Sequence, residues 1–161
     1  MATSTTNTAK DVEFTPKILV ITTIACSYPG VDNAGQQHLD YPSNSLVIRV
    51  PSPVLFPEDF YLDTFRKGFD GILIFSCGEE CPYSGAFKRL ALRINKTMKR
   101  MKTEYGLEPQ RLKLTAICTV CAKHVVKEIT GMDQYLRTIL PAHEVMNNPT
   151  SLPSKEEQES A

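Results

Sequence analysis

The chain has 161 residues, 42% hydrophobic and 22% charged, and its 18 basic and 18 acidic residues give a formal net charge of zero. That size fits one globular domain with its own core, and a neutral balance gives no global reason to expect nucleic acid or an anionic membrane as ligand. No apolar run approaches the ~20 residues that cross a bilayer, and the opening MATSTTNTAKD lacks the apolar core of a secretory signal, so a soluble, cytoplasmic protein is expected.

Residues 1–15 are polar and poorly periodic and are expected to be a disordered tail. KILVITT at 17–23 is a short, β-branched apolar run, which predicts a buried strand. In the stretch after it, Tyr28, Gly30, Asp32, Ala34 and Gly35 predict a loop and a helix start, with Asp32 as N-cap. SLVIRV at 45–50 predicts a second strand. From Glu58 to Lys67, Phe60, Tyr61, Thr64 and Phe65 share one helical side behind Pro57. GILIFS at 71–76 is the third strand. Ala86 to Tyr105 is the longest helix, with Leu90, Ile94, Met98 and Met101 at helical spacing and Gly106 as its C-cap. RLKLTAI at 111–117 is the fourth strand. A last helix is expected from about Cys121 to Leu140, bent near Gly131 and stopped by Pro141.

Strands alternating with helices predict an α/β fold, a small mainly parallel sheet flanked by helices in a flavodoxin- or Rossmann-like three-layer arrangement. The ordered domain is expected over 16–145, with 146–161 as a second disordered tail. In such sheets, sites form beyond the carboxyl ends of the strands. Cys26 follows the first strand, Cys77 and Cys81 the third, and Cys118 and Cys121 the fourth. All five thiols are therefore expected at one edge of the sheet.

Five cysteines in a chain without a secretory signal favour metal or redox chemistry over a disulfide framework. SCGEEC at 76–81 and CTVC at 118–121 are two close pairs, enough for a tetrahedral zinc or a cysteine-ligated iron–sulfur cluster. Gly78 allows the tight loop that such ligation needs. Spacing does not separate zinc from iron, and a C-x-x-C also suits a reversible dithiol. Each cysteine has a plainer alternative as a small buried hydrophobe. His124, three residues after Cys121, would complete a Cys/Cys/His zinc set or simply sit at the surface; His38 and His143 look incidental. Lys88, Arg89, Arg93, Lys96, Lys99, Arg100 and Lys102 make the long helix basic, either a solvated face or a dock for an acidic partner. No Ser-His-Asp set, P-loop or G-x-G-x-x-G supports autonomous catalysis, and no nucleic-acid-binding signature is present.

C-S-Y-x-G-x-D-x-A-G from Cys26, Y-P-x-N at 41–44, I-R-V at 48–50, F-R-K-G-F-D-G-I-L-I at 65–74, the Cys77/Cys81/Tyr83 loop and G-L-E-P-Q-R-L at 106–112 occur in that order. Together they resemble the delta subunit of methyl-viologen-reducing hydrogenase, the FlpD-type hydrogenase iron–sulfur subunit family. The resemblance covers roughly residues 17 to 130. It implies a non-catalytic electron-transfer subunit of a cytoplasmic oxidoreductase complex. Such a protein relays electrons between a hydrogenase, formate dehydrogenase or other donor and a heterodisulfide-reductase-like flavin subunit. The resemblance also implies a [2Fe–2S] cluster. Thr23 and Ser52 stand where the family has cysteines, while Cys118 and Cys121 stand where it has none. The expected ligands are therefore Cys77, Cys81, Cys118 and Cys121, with Cys26 as an alternative, and zinc is the alternative metal.

Overall fold

The computed structural model describes residues 14–81 and 83–148. Residues 1–13 and 149–161, most of the two expected tails, lie outside the described residues. Four strands are present, β1 (Ile18–Thr23), β2 (Ser45–Val50), β3 (Gly71–Ser76) and β4 (Leu112–Ala116). Five helices accompany them: α1 (Ser27–Gln36), α2 (Glu58–Arg66), α3 (Ala86–Tyr105), α4 (Ala122–Leu136) and α5 (Ala142–Asn147). The strands are all parallel in the order β2-β1-β3-β4. Ile18 lies opposite Ser45 on one side and Gly71 on the other, and Ile72 lies opposite Leu112.

The expected α/β fold is what forms, for a simple reason. β1 and β3 are continuous apolar runs because helices cover them on both faces, and every residue of each is buried. On one face Leu19, Ile21, Ile72 and Ile74 pack with Tyr61, Leu62 and Phe65 of α2 and with Leu90, Ile94 and Met101 of α3. On the other, Ile18, Val20, Leu73 and Phe75 pack with Val31 of α1 and with Val125, Ile129, Met132 and Leu136 of α4. The edge strands β2 and β4 are only partly buried. No helix among the described residues is long and apolar enough to cross a membrane.

Two expectations need correction. The helix after β1 starts at Ser27, so Asp32 sits inside it and accepts from Gln36 one turn later instead of capping it. The last helix is two helices: Gly131 lies unbroken inside α4, and the chain turns after Leu136 so that Pro141 precedes α5. Exposed backbone at Gly131 costs little, because the buried stripe of Val125, Ile129, Met132 and Leu136 holds the helix on the sheet. α5 extends to Asn147, past the boundary expected at 145.

The amino-terminal edge of the sheet is fastened by two buried charged residues. Asp70 accepts from the backbone N–H of Lys17 and of Ala142, both at 2.9 Å, and so joins the starts of β1, β3 and α5. Arg111, fully buried, donates to Glu108 at 2.6 Å and to the carbonyls of Asp70 and Leu140. Replacing Asp70→Ala leaves one buried and one partly buried N–H group without acceptors. Urea unfolding is expected to show a loss of about 2–4 kcal/mol, with the far-ultraviolet spectrum of the folded state unchanged.

Candidate functional site

At the opposite edge, the chain leaves each of β1, β3 and β4 within a few residues of a cysteine. Thr23 is followed by two residues, then Cys26, then α1; Ser76 is followed directly by Cys77; Ala116 is followed by Ile117 and Cys118, with Cys121 immediately before α4. Because the strands are parallel and in register, these exits lie side by side.

Three contacts bring them within bonding reach. The first is the buried hydroxyl of Ser27, which accepts from the Thr23 N–H and donates to the Phe75 carbonyl, both at 2.7 Å. Thr23, also buried, donates its own hydroxyl to that carbonyl at 3.2 Å. The start of α1 is thereby held against the end of β3, with Cys26 beside Cys77. The second is Gly78, at φ +66°, where a Cβ would lie 3.1 Å from that of Ala116, so the loop after β3 leans on the end of β4. The third is Gly30 in α1. A Cβ there would stand 2.7 Å from the Cys118 carbonyl oxygen, so only glycine lets α1 approach the Cys118–Cys121 loop this closely.

The result is a surface depression of ≈ 600 Å³ lined by Cys26, Cys77, Cys118 and Cys121, together with Gly78 and Glu79. In the structure these four form two disulfides, Cys26–Cys77 with Cα atoms 5.7 Å apart and Cys118–Cys121 at 5.2 Å. Cys81 is a free, half-buried thiol. It lines a neighbouring depression of ≈ 300 Å³ with Glu79, Tyr83 and Lys88. Of the expected set Cys77, Cys81, Cys118 and Cys121, three therefore share one depression, and Cys26 completes the foursome there.

In kind and number, the donors fit a thiolate-held group: two sulfur pairs around one depression. A disulfide sulfur carries no thiolate, and among the described residues no set of three or more His, Cys, Asp or Glu side chains is arranged to hold a metal ion. Two electrons and two protons per disulfide, from an external reductant, would convert the four sulfurs to thiols, the form from which thiolate ligands arise. His124 does not line the depression. It is exposed, with Nε2 3.2 Å from Glu128, which also pairs with Lys113 at 2.6 Å. Burial pushes the Glu128 carboxyl up, but its bonds to Lys113 and His124 outweigh this and hold it below its ordinary value.

Sequence reasoning did not single out Ser27, and it gave Gly30 a turn role when its contact is with Cys118. The only cue for either was their place in the C-S-Y-x-G motif. Tyr28, from the same motif, lies under the Arg49 guanidinium, 5.2 Å from the ring centre. The basic helix α3 is partly structural. Arg93 donates to the Val54 and Phe56 carbonyls, Lys96 pairs with Glu58, and Arg100 pairs with Asp59 and Glu104.

The chain is a parallel α/β domain with four cysteines gathered beyond its strand ends, donors of the kind that a redox or metal group uses. Comparison with known proteins narrows this. The chain belongs to the family of the methyl-viologen-reducing hydrogenase delta subunit, whose model matches residues 18–139. It is 30% identical to an iron–sulfur subunit of the F420-non-reducing hydrogenase of Archaeoglobus profundus over 131 residues, 80% of this chain and 94% of that protein. It is 31% identical to a subunit of the ferredoxin:CoB-CoM heterodisulfide reductase of Methanosarcina mazei over 72% of this chain and 15% of that protein. For the corresponding subunit of the ferredoxin/F420H2-dependent CoB-CoM heterodisulfide reductase of Methanosarcina acetivorans the figures are 29%, 82% and 17%. The chain thus spans only a small part of these two reductase subunits.

Two measurements check the site. Aerobically purified protein is expected to take up one maleimide label, at Cys81, and five after reduction, read by intact mass. Ser27→Ala removes a donor and an acceptor at once and is expected to cost about 1–3 kcal/mol in urea unfolding, with faster reduction of the Cys26–Cys77 disulfide by dithiothreitol.

Proposed function

We propose that this chain is the iron–sulfur electron-transfer subunit of a cytoplasmic oxidoreductase complex. It would relay electrons between a hydrogenase, formate dehydrogenase or other donor and a flavin subunit resembling that of heterodisulfide reductase. The observation that carries this is the gathering of Cys26, Cys77, Cys118 and Cys121 around one depression at the strand ends in a member of this family. A [2Fe–2S] cluster, when bound, supplies a one-electron site.

The chain's own residues do the rest. Four thiolates hold the group, Cys26 and Cys77 on one side and Cys118 and Cys121 on the other. Ser27 and Gly30 fix the spacing between these sides through the Phe75 carbonyl and the Cys118 carbonyl. Gly78 keeps the loop after β3 close against Ala116 at the end of β4. The depression opens to solvent at the domain surface, where a partner's redox centre can come near. Cys81, with Glu79 between it and the foursome, is outside this ligand set.

A second reading draws on one observation. Cys118 is exposed, and Cys121 stands immediately before α4, two residues of a C-x-x-C already joined as a disulfide. A reversible Cys118–Cys121 disulfide passing two electrons at a time would be a dithiol carrier without metal.

The deciding experiment is anaerobic purification of the full chain with its co-purifying partners, followed by iron, sulfide and zinc analysis and electron paramagnetic resonance. About two irons and two sulfides per chain, with a signal on dithionite reduction, are expected. Cys26→Ser is expected to lose that signal and Cys81→Ser to keep it; the reverse would restore Cys81 to the ligand set. Zinc alone in intact complex would leave a structural site. Absence of metal together with a reversible two-electron thiol titration would establish the dithiol carrier.

A further inference from the structure

β4 is the last strand in the order β2-β1-β3-β4, one strand short of the 2-1-3-4-5 order of flavodoxin-like sheets. Where a fifth strand would lie, α3 and α4 leave a cavity of ≈ 720 Å³ beside Leu112 and Lys113 at the start of β4. Its walls are mainly apolar and include Met98 of α3, Leu112 of β4 and Met132 and Tyr135 of α4. Ile117 donates its N–H to the Ser76 carbonyl on the β3 side. Strand alternation therefore turns the N–H groups of Leu114 and Ala116 to the outer edge. Among the described residues, no strand pairs with that edge.

An unpaired edge is a template for another strand. No proline interrupts β4, and Lys113, the charge that would guard it, is drawn down onto Glu128 at 2.6 Å. The slot's remaining charge is positive. Lys127 lines it, Lys123 stands one turn before Lys127, and Lys102 stands one turn after Met98. All three are exposed, and none has an ion-pair or hydrogen-bond partner among the described residues.

We propose that this slot receives an extended segment of a partner protein in the complex, apolar residues alternating with Asp or Glu, which adds to β4 as a fifth strand. The apolar side chains face α3 and seat against Met98 and Leu112, and the carboxylates, on the opposite face, meet Lys123 and Lys127 of α4. Main-chain pairing to Leu114 and Ala116 gives affinity, and the pockets on either side give specificity. The presence of such a partner rests on the reading of the chain as part of a complex. The heterodisulfide reductase relatives, in which the matched segment is 15% and 17% of a longer chain, are consistent with a neighbour held close to this domain.

Gly131 provides the test, because it lines the slot and a Cβ built there meets nothing within 4 Å. Gly131→Trp adds a large side chain at the wall of the slot from a backbone position where a Cβ is free of contacts. Gly35→Trp on α1, where a Cβ also meets nothing within 4 Å, is the control. The probe is the complex purified anaerobically through a tag on the full chain, with the separated chain as reference. In the complex, the amides of Leu114 and Ala116 are expected to be protected from hydrogen exchange. Carbodiimide is expected to link Lys127 or Lys123 to acidic residues of one contiguous partner segment. Gly131→Trp is expected to weaken association at least tenfold, Gly35→Trp to leave it unchanged, and the iron–sulfur signal per chain to be the same in both. That signal separates the two readings, since its absence with the complex intact speaks against the relay and not against the slot. Unprotected β4 amides, or a complex indifferent to Gly131→Trp, would overturn the proposal. So would a homodimer dissolved by Gly131→Trp, or protection of β4 in the separated chain that disappears on deleting residues 149–161.

Discussion

Every strand of this sheet runs in the same direction, and that one constraint decides what the molecule has to work with. Parallel pairing forces each strand's exit to the same edge and each connection back across a face through a helix. Cysteines that are 51 residues apart in the chain, such as Cys26 and Cys77, thereby stand with Cα atoms 5.7 Å apart. An antiparallel arrangement of the same strands would send part of the thiols to the opposite edge. The site is thus a product of topology first and of local chemistry second.

Much of this was legible before any coordinates. The four strands and the helices α2 and α3 follow from apolar period and punctuation alone, because the central strands are covered on both faces and read as unbroken apolar runs. The gathering of the thiols followed from the order of elements. What the sequence did not reveal is which of five thiols meet. Cys81 is close to Cys77 in the chain, yet the turn at 78–80 carries it toward Tyr83 and Lys88 while Cys77 faces Cys26. Chain spacing is a poor guide there, because a tight turn reverses direction within four residues. Ser27 was equally hard to see, since a serine at a helix start has many ordinary uses, and only the tertiary position of the Phe75 carbonyl shows this one.

Thr23 and Ser52, the two positions where the family resemblance leads one to expect cysteine, have settled into structural work. Thr23 is buried and donates its hydroxyl to the Phe75 carbonyl. Ser52 is buried at the start of the short turn that follows β2. With β2 contributing no thiol, the sulfur cluster is centred on β1, β3 and β4, displaced toward the side of the sheet on which α4 begins. The same strand carries the unpaired edge, with Ala116 at its end lining the thiol depression and Leu112 and Lys113 at its start lining the slot.

The two edges of the sheet also differ mechanically. At the amino-terminal edge, Asp70 and Arg111 are buried charged anchors, each bonded to two or more segments that are far apart in sequence. At the thiol edge, the fastening is the hydroxyls of Ser27 and Thr23, the absence of two Cβ atoms and the two disulfides. The base therefore rests on buried charges, and the rim on sulfur and two hydroxyls. Reduction of the two disulfides thus removes fastening at the rim alone and leaves the bonds of the base as they are.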